Sequence, residues 1–297
     1  MTYIWIVVGL LLIFLLWSFL EQRMIVKSKY IINSDRIGDD IHNLSFIVLA
    51  DLHNKSFGRK NKKLLNKILE QRPDFVIIAG DMITKRKPCY PGNAYNLIEK
   101  LSDHYPVYYA YGNHEQYFED LVYNNAKEDN KRQKALYESW VIYKDKLKKL
   151  GVHVLDNTSI MLQYNNSKLI ITGLSISTKF YYKGNTHKLD QDIKNKVGNS
   201  SSQGYQILIA HNPLYFINYV QWGANLTLSG HMHGGLIRIP FVGGLISPQV
   251  KLFPKYDAGQ FIENNRQMVI SRGLGSHSLM PRFFNPPELV EITLRNK

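Results

Sequence analysis

Ser229-Gly230-His231-Met232-His233-Gly234-Gly235 follows an apolar run, Asn225 to Leu228, that reads as a short buried strand. The flanking glycines let the backbone turn sharply and come close to a ligand. Two imidazoles one residue apart are by themselves a weak metal signal. Their weight comes from four upstream segments built on the same plan, each an apolar run ending in metal-type side chains.

Ser45 to Ala50 delivers Asp51-Leu52-His53, and Asp74 to Ala79 ends at Gly80-Asp81. Val107 to Ala110 leads into Gly112-Asn113-His114-Glu115, and Tyr205 to Ala210 ends at His211-Asn212-Pro213. Uninterrupted apolar runs of this length suit strands buried on both faces. Between the first two lies an amphipathic helix, about Lys60 to Gln71, with Leu64, Leu65, Ile68 and Leu69 on one face. Strand, helix, strand in that order implies a parallel pair joined by a right-handed crossover. A helix from Ala94 to Ser102 precedes the third strand.

The spacing predicts one long surface helix over Asn124 to Lys149, its stripe of Leu136, Trp140, Tyr143 and Leu147 facing the core. Short strands at Val152–Leu155, Ile160–Gln163 and Leu169–Thr172 begin a second, more antiparallel sheet. Met268–Ser271 and Leu289–Leu294 complete the sheets. Thr178 to Gln203 is polar and reads as a loop with a short helix, either a lid over a site or a solvated excursion. With no internal repeat or Pro-rich linker, everything after the N-terminal segment reads as one two-layered α/β domain.

Asp51, His53, Asp81, Asn113, His114, His211, His231 and His233 all lie just past the C-terminal ends of predicted strands, where open α/β sheets bind ligands. Imidazoles, carboxylates and one amide, without a thiolate, suit manganese, iron or zinc. These donors exceed what one tetrahedral site needs, which points to two ions about 3.5–4 Å apart with one bridging carboxylate, the arrangement that clamps a phosphoryl group. His42, His104, His153, His187 and His277 lack this context and read as structural or surface residues. The single cysteine, Cys89, excludes an internal disulfide and a Cys-rich zinc site.

Tyr3 to Leu20 carries no charged side chain and is long enough to cross a bilayer as a helix, with Tyr3, Trp5 and Trp17 near its ends. It lacks the basic n-region and cleavage site of a signal peptide. Arg23, Lys27 and Lys29 follow directly, so the positive-inside tendency places the domain in the cytoplasm, on a single-pass anchor in the cell membrane. The net charge of +13 lies in the soluble part and favours anionic headgroups or anionic substrates, unless it is only a solvated Lys-rich surface. The 19 tyrosines are scattered and form no stacking stripe for nucleic acid.

Taken together, Asp51-x-His53, Gly80-Asp81, Gly112-Asn113-His114-Glu115, His211 and Gly230-His231-x-His233 resemble the calcineurin-like metallophosphoesterase superfamily. All five blocks occur in order. Gly234-Gly235 with Arg238-Ile239-Pro240, Ser271-Arg272-Gly273-Leu274-Gly275 and Pro286-Pro287-Glu288 resemble its membrane-associated bacterial branch, the YkuE/YaeI type and the chlamydial-type UDP-2,3-diacylglucosamine pyrophosphatase. The resemblance implies a four-layer αββα sandwich of two mixed sheets over residues 44–297, after a transmembrane helix at 3–20 and a juxtamembrane linker and lead-in at 21–43. It implies one divalent ion on Asp51, His53, Asp81 and His233 and a second on Asp81, Asn113, His211 and His231, with manganese the first expectation and iron or zinc the alternatives. A hydroxide shared by the ions is the implied nucleophile, and His114 faces the substrate phosphate as the catalytic residue. Glu115 either orients His114 or is an exposed carboxylate at a helix start. Arg238, Arg272 and Arg282 grip a diphosphate or form structural ion pairs, Arg238 and Arg282 being kept as substrate contacts. Leu236 stands where many relatives carry Gln, which puts one substrate contact in question.

The implied reaction is hydrolysis of a phosphodiester or pyrophosphate bond, in a nucleotide-linked lipid such as UDP-2,3-diacylglucosamine or in a soluble or cell-wall substrate. The expected partners are therefore the bilayer and an anionic phosphate substrate, with no nucleic acid and no obligate protein. A non-catalytic metal-binding scaffold is the reading from a different class, and a nuclease is a further rival that the membrane segment disfavours.

Overall fold

The computed structural model describes residues 2–123, 130–181, 189–235, 237–239, 242–246, 252–276 and 282–297. Leu236, Pro240, His187 and His277, singled out above, lie outside them, as does part of the 178–203 segment.

Two six-stranded sheets form the centre. The first contains β1 (Val26–Ser34), β2 (Ser45–Leu49), β3 (Phe75–Ala79), β4 (Val107–Ala110) and β5 (His153–Val154), with the C-terminal strand β14 (Glu288–Asn296) inserted between β1 and β2. The second contains β6 (Thr158–Tyr164), β7 (Ser167–Leu174), β8 (Tyr205–Ala210), β9 (Leu226–Ser229), β12 (Gly259–Glu263) and β13 (Arg266–Ile270), in the order β12-β13-β9-β8-β7-β6. A small hairpin, β10 (Arg238–Ile239) with β11 (Gly243–Gly244), stands apart. Both sheets are mixed. β2, β3, β4 and β5 run parallel in one and β7, β8, β9 and β13 in the other, while β14 opposes β2 and β6 opposes β7.

Alternation along the strands builds the layers. Phe46, Val48 and Ile77 pack with Ile171, Ile207, Leu228 and Ile292 into the core between the sheets. Ile47, Leu49, Val76 and Ile78 turn the other way, onto α2 (Lys62–Leu69), α3 (Asn93–Ser102) and α5 (Lys131–Lys149) through Leu64, Leu97, Trp140 and Tyr143. On the far side, Leu208 and Ala210 meet Ile193 of α6 (Leu189–Val197) and Tyr219 and Trp222 of α7 (Phe216–Trp222). This is the αββα sandwich the resemblance implied, preceded by an exposed apolar helix, α1 (Thr2–Glu21).

Three expectations change. The 21–43 stretch is more than a lead-in, because Val26–Ser34 is a full strand paired in parallel with β14. Asn113 opens a helix, α4 (Asn113–Tyr123), and the described part of the long helix begins only at Lys131, capped by the Asn130 side chain. Within 178–203, Leu189 and Ile193 are buried against the second sheet, so that part is core rather than a solvated excursion.

Candidate active site

Parallel strands of both sheets deliver their C-terminal loops to one place. β2, β3 and β4 supply Asp51, His53, Asp81, Asn113 and His114, while β8 and β9 supply His211, His231 and His233. The loops after β2 and β3 are laced together by Asp51 N–H to Gly80 O (3.0 Å), His53 N–H to Asp81 O (3.1 Å) and Asn54 N–H to Met82 O (2.9 Å). Asp51, His53, Asp81, His231 and His233 all have positive φ, between 50° and 67°. Each such non-glycine residue costs on the order of 1 kcal/mol or more, and the conformation persists where surrounding bonds overdetermine it. Two glycines allow the loops to close. A side chain on Gly112 would land on Asp81 Oδ1, and one on Gly230 would land on Asp51 Oδ2.

The polar atoms converge without meeting as ordinary hydrogen-bond partners. Asp51 Oδ1 lies 3.4 Å from His233 Nε2 and 3.7 Å from the Nε2 atoms of His53 and His211. Asp81 Oδ2 lies 3.2 Å from His211 Nε2 and 4.0 Å from His53 Nε2. Three overlapping sets of donors, Asp51 with His53 and His233, His53 with Asp81 and His114, and Asp81 with His211 and His231, each have their ligand atoms within 4.8 Å of one another. Asp51, Asp81, His53, His211 and His233 are buried.

The second ring nitrogens decide what these imidazoles can do. Nδ1 of His53 faces Ile83 O (3.3 Å), that of His211 faces Ala79 O (2.7 Å) and that of His233 faces Gly275 O (3.2 Å). A carbonyl only accepts, so Nδ1 of His53 and of His211 carries a proton and their Nε2 atoms turn inward, whereas His233 Nδ1 also faces the donor Nη2 of Arg282 at 3.3 Å. The Nε2 atoms of His53 and His233 stand 3.3 Å apart. Lone pairs that close repel unless a cation or proton lies between them. Asn113 Oδ1 is buried and makes no hydrogen bond, and His211 Nε2 faces Asp81 Oδ2 at 3.2 Å. The donors present therefore fit a pair of cations, and the Asp/His cluster is consistent with a dinuclear metal site.

His114 has the opposite arrangement. The Lys85 backbone N–H donates to its Nδ1 at 2.9 Å, so the proton resides on Nε2, 3.9 Å from Asp81 Oδ2. This imidazole presents a donor, not a lone pair.

Glu115 is neither an orienter of His114 nor an exposed carboxylate. It is fully buried and accepts from the N–H groups of Asp81 (2.8 Å), Met82 (2.9 Å), Ile83 (3.3 Å) and Gly112 (3.0 Å), and from Tyr109 Oη (2.7 Å). Arg238 is ion-paired with Asp257 at 2.9 Å and donates to Gly234 O. Arg282 is buried and donates to the carbonyls of Arg272, Gly273 and Gly275. Arg272 pairs with Glu288 at 3.1 Å. The guanidinium groups thus brace the loop behind His233. Tyr181, which sequence reasoning missed, sets its ring edge-on to His231 at 4.9 Å.

Burial, reinforced by the neighbouring Asp81 charge, raises the Asp51 pKa. Asp81 falls well below the ordinary carboxylate range, because the facing imidazoles of His211, His114 and His53 outweigh its burial. His211 goes the other way from the usual buried histidine, since Asp81 and Asp51 overcome burial and push it up to about 10. Metal-free protein therefore holds a proton on His211 throughout the neutral range, and a cation must displace it. Because the pKa is raised, protonation dominates below about 10 and apparent metal affinity must fall as pH falls. Titrating metal-stripped protein with manganese should show about a hundredfold weaker binding at pH 6 than at pH 8, one decade per pH unit for that proton. A pH-independent affinity would mean that His211 is not displaced.

Beside the cluster lies a cavity of about 690 Å³, lined by His53, Thr84, Asn93 and Asn96 and by the cationic Arg86 and Lys87.

The sequence model of the calcineurin-like phosphoesterase family matches residues 44–235. An uncharacterized metallophosphoesterase of Bacillus subtilis, YkuE, is 26% identical over 282 residues, which covers 94% of this chain and 88% of that one. The UDP-2,3-diacylglucosamine pyrophosphatase LpxG of Chlamydia muridarum is 24% identical over 285 residues, 84% of this chain and 83% of that one. Among solved structures, the phosphopantetheinyl hydrolase PptH of Mycobacterium tuberculosis superposes with a TM-score of 0.43 at 11% identity, covering 77% of this chain and 89% of that one.

Proposed function

The chain belongs to the calcineurin-like phosphoesterase family, and from that premise we propose that it is a membrane-anchored hydrolase of phosphodiester or pyrophosphate bonds. One divalent ion would be held by Asp51, His53, Asp81 and His233 and another by Asp81, Asn113, His211 and His231, with manganese the first choice for this mixed oxygen and imidazole set. When bound, such a pair neutralises phosphoryl charge and supplies a nucleophilic water at neutral pH.

The chain's own residues do the rest. Asp81 is held for a shared role, its Oδ1 taken by the His114 N–H at 2.8 Å while Oδ2 faces the centre. The carbonyls of Ile83, Ala79 and Gly275 orient the rings of His53, His211 and His233 with Nε2 toward the centre. His114 donates its Nε2 proton to the phosphate or the departing oxygen. Arg86 and Lys87 attract the remaining negative charge of the substrate into the neighbouring cavity. Arg238 and Arg282 act as positioning residues for the His233 loop.

The observation that carries the catalytic assignment is the contrast between His114, whose Nδ1 accepts from the Lys85 N–H, and His53 and His211, whose Nδ1 atoms face carbonyls. The test is hydrolysis of a chromogenic diester by metal-stripped full-length protein after manganese is restored. His114→Ala should lower kcat about a hundredfold while retaining the metal content of the parent. Loss of metal with the activity would make His114 a ligand and overturn its assignment.

A lipid-linked substrate such as UDP-2,3-diacylglucosamine is the favoured class. Three features support it: the function named for LpxG, an apolar helix long enough to span a bilayer, and the cationic cavity. The helix would place the domain on the cytoplasmic face, since Arg23, Lys27 and Lys29 follow it directly.

A further inference from the structure

We propose that the domain makes a second membrane contact, in which the β10–β11 hairpin and the adjoining Phe283-Phe284 turn immerse in the interfacial layer of the bilayer. This rests on the reading of α1 as a membrane anchor.

The length of α1 and its seat on the domain require it. The Phe14 ring stacks on Phe283 with centroids 3.8 Å apart, and Ser18 and Glu21, on the same helical stripe, are buried. Lys55 Nζ donates to Gln22 O (2.6 Å) and Lys63 Nζ to Arg23 O (3.4 Å), so the helix's C-terminal turns are docked on the domain. At 1.5 Å per residue, Phe14 stands about 10 Å along the axis from Glu21. The 19 residues Tyr3–Glu21 reach roughly 28 Å, close to the hydrocarbon thickness of about 30 Å. If lipid began only beyond Phe14, Tyr3 to Ile13 would offer roughly 17 Å, too short to cross. A helix that spans therefore carries Phe283 about 10 Å below the membrane surface, the depth of an interfacial anchor.

The rim beside Phe283 has the chemistry for that depth. Ile237 bridges to Phe283, and Arg238 N–H donates to Phe283 O at 3.0 Å. Leu245 N–H donates to Ile237 O (2.8 Å) and Phe253 N–H to Leu245 O (2.9 Å). These bonds lay the segments side by side and group Val242, Leu252, Phe253 and Phe284, whose exposures run from 52% to 63%. Large side chains grouped at such exposure mark a contact surface. Continuity with the apolar helix assigns that contact to lipid. Through Gly234 O, which Arg238 binds at 3.0 Å, the rim is tied directly to the His231–Gly235 loop.

The test uses the full chain in vesicles of phosphatidylethanolamine and phosphatidylglycerol whose acyl chains carry nitroxide quenchers. In a C89A background, an environment-sensitive fluorophore is attached at Leu252→Cys, at Phe284→Cys, at Leu11→Cys within the helix, or at Met161→Cys on the opposite edge strand. Blue-shifted, strongly quenched emission is expected at Leu252, Phe284 and Leu11, with water-like emission at Met161. Water-like emission at Leu252 and Phe284 beside a lipid signal at Leu11 overturns the second contact alone. A blue shift there without quenching assigns the patch to a protein surface and also overturns it. Water-like emission at Leu11 overturns the anchor reading, and the inference with it.

Discussion

Asp81→Asn is expected to lower diester turnover about a thousandfold or more, a transition-state loss of about 4 kcal/mol. The exchange keeps size and shape but removes the charge from the one carboxylate that belongs to both proposed ion sites. Its Oδ2 faces His211 at 3.2 Å and His114 at 3.9 Å, while its Oδ1 accepts the His114 N–H. An amide nitrogen in either position would aim a donor at a proton or withdraw a ligand. The bound metal, measured by elemental analysis, should fall from two equivalents toward one or none. Full turnover with two ions retained would remove Asp81 from the bridge.

Glu115→Ala should be felt first in stability, by about 4 kcal/mol, because it strands four buried backbone N–H groups at 1–3 kcal/mol each before any water enters. That is a large part of a domain's net stability. Burial and the nearby Asp81 charge raise the Glu115 pKa, and the hydrogen bonds from Tyr109, Asp81 and Gly112 oppose that rise. The melting temperature of the full chain in detergent should drop by several degrees. Manganese affinity should weaken as well, since the Asp81–Ile83 loop loses its clamp. Glu115→Gln keeps one acceptor and should fall between. An unchanged melting temperature and affinity in Glu115→Ala would show that water replaces the carboxylate fully.

The strands that carry the site were legible because both of their faces are covered. A run such as Phe75–Ala79 leaves no polar position to confuse the reading. Residue types at the strand ends were legible because ions constrain donor chemistry. What escaped is what side-chain identity does not encode. Val26–Ser34 alternates exposed lysines with half-buried positions, the pattern of an edge strand, and resembles a polar linker. Glu115 works on backbone N–H groups, which every residue possesses, so nothing in the sequence names its targets. The positive φ of Asp51, Asp81 and His233 contradicts their local preference and is imposed by tertiary bonds. Whether Arg282 grips a substrate or braces a loop depends on which carbonyls surround it, and these come from residues brought together only by folding.

The pairing of β1 with β14 sets the order in which the protein can mature during synthesis. Val26 leaves the ribosome soon after α1, yet its partner Glu288 follows 262 residues later. β1 must therefore wait unpaired while the intervening residues are made, and closing so long a loop is slow. β14 also brings Glu288, which accepts the Arg272 N–H at 2.8 Å and so steadies the loop whose Gly275 carbonyl orients His233. β14 is thus the segment that finishes the sheet and steadies the imidazole, and a nascent chain short of it lacks both supports.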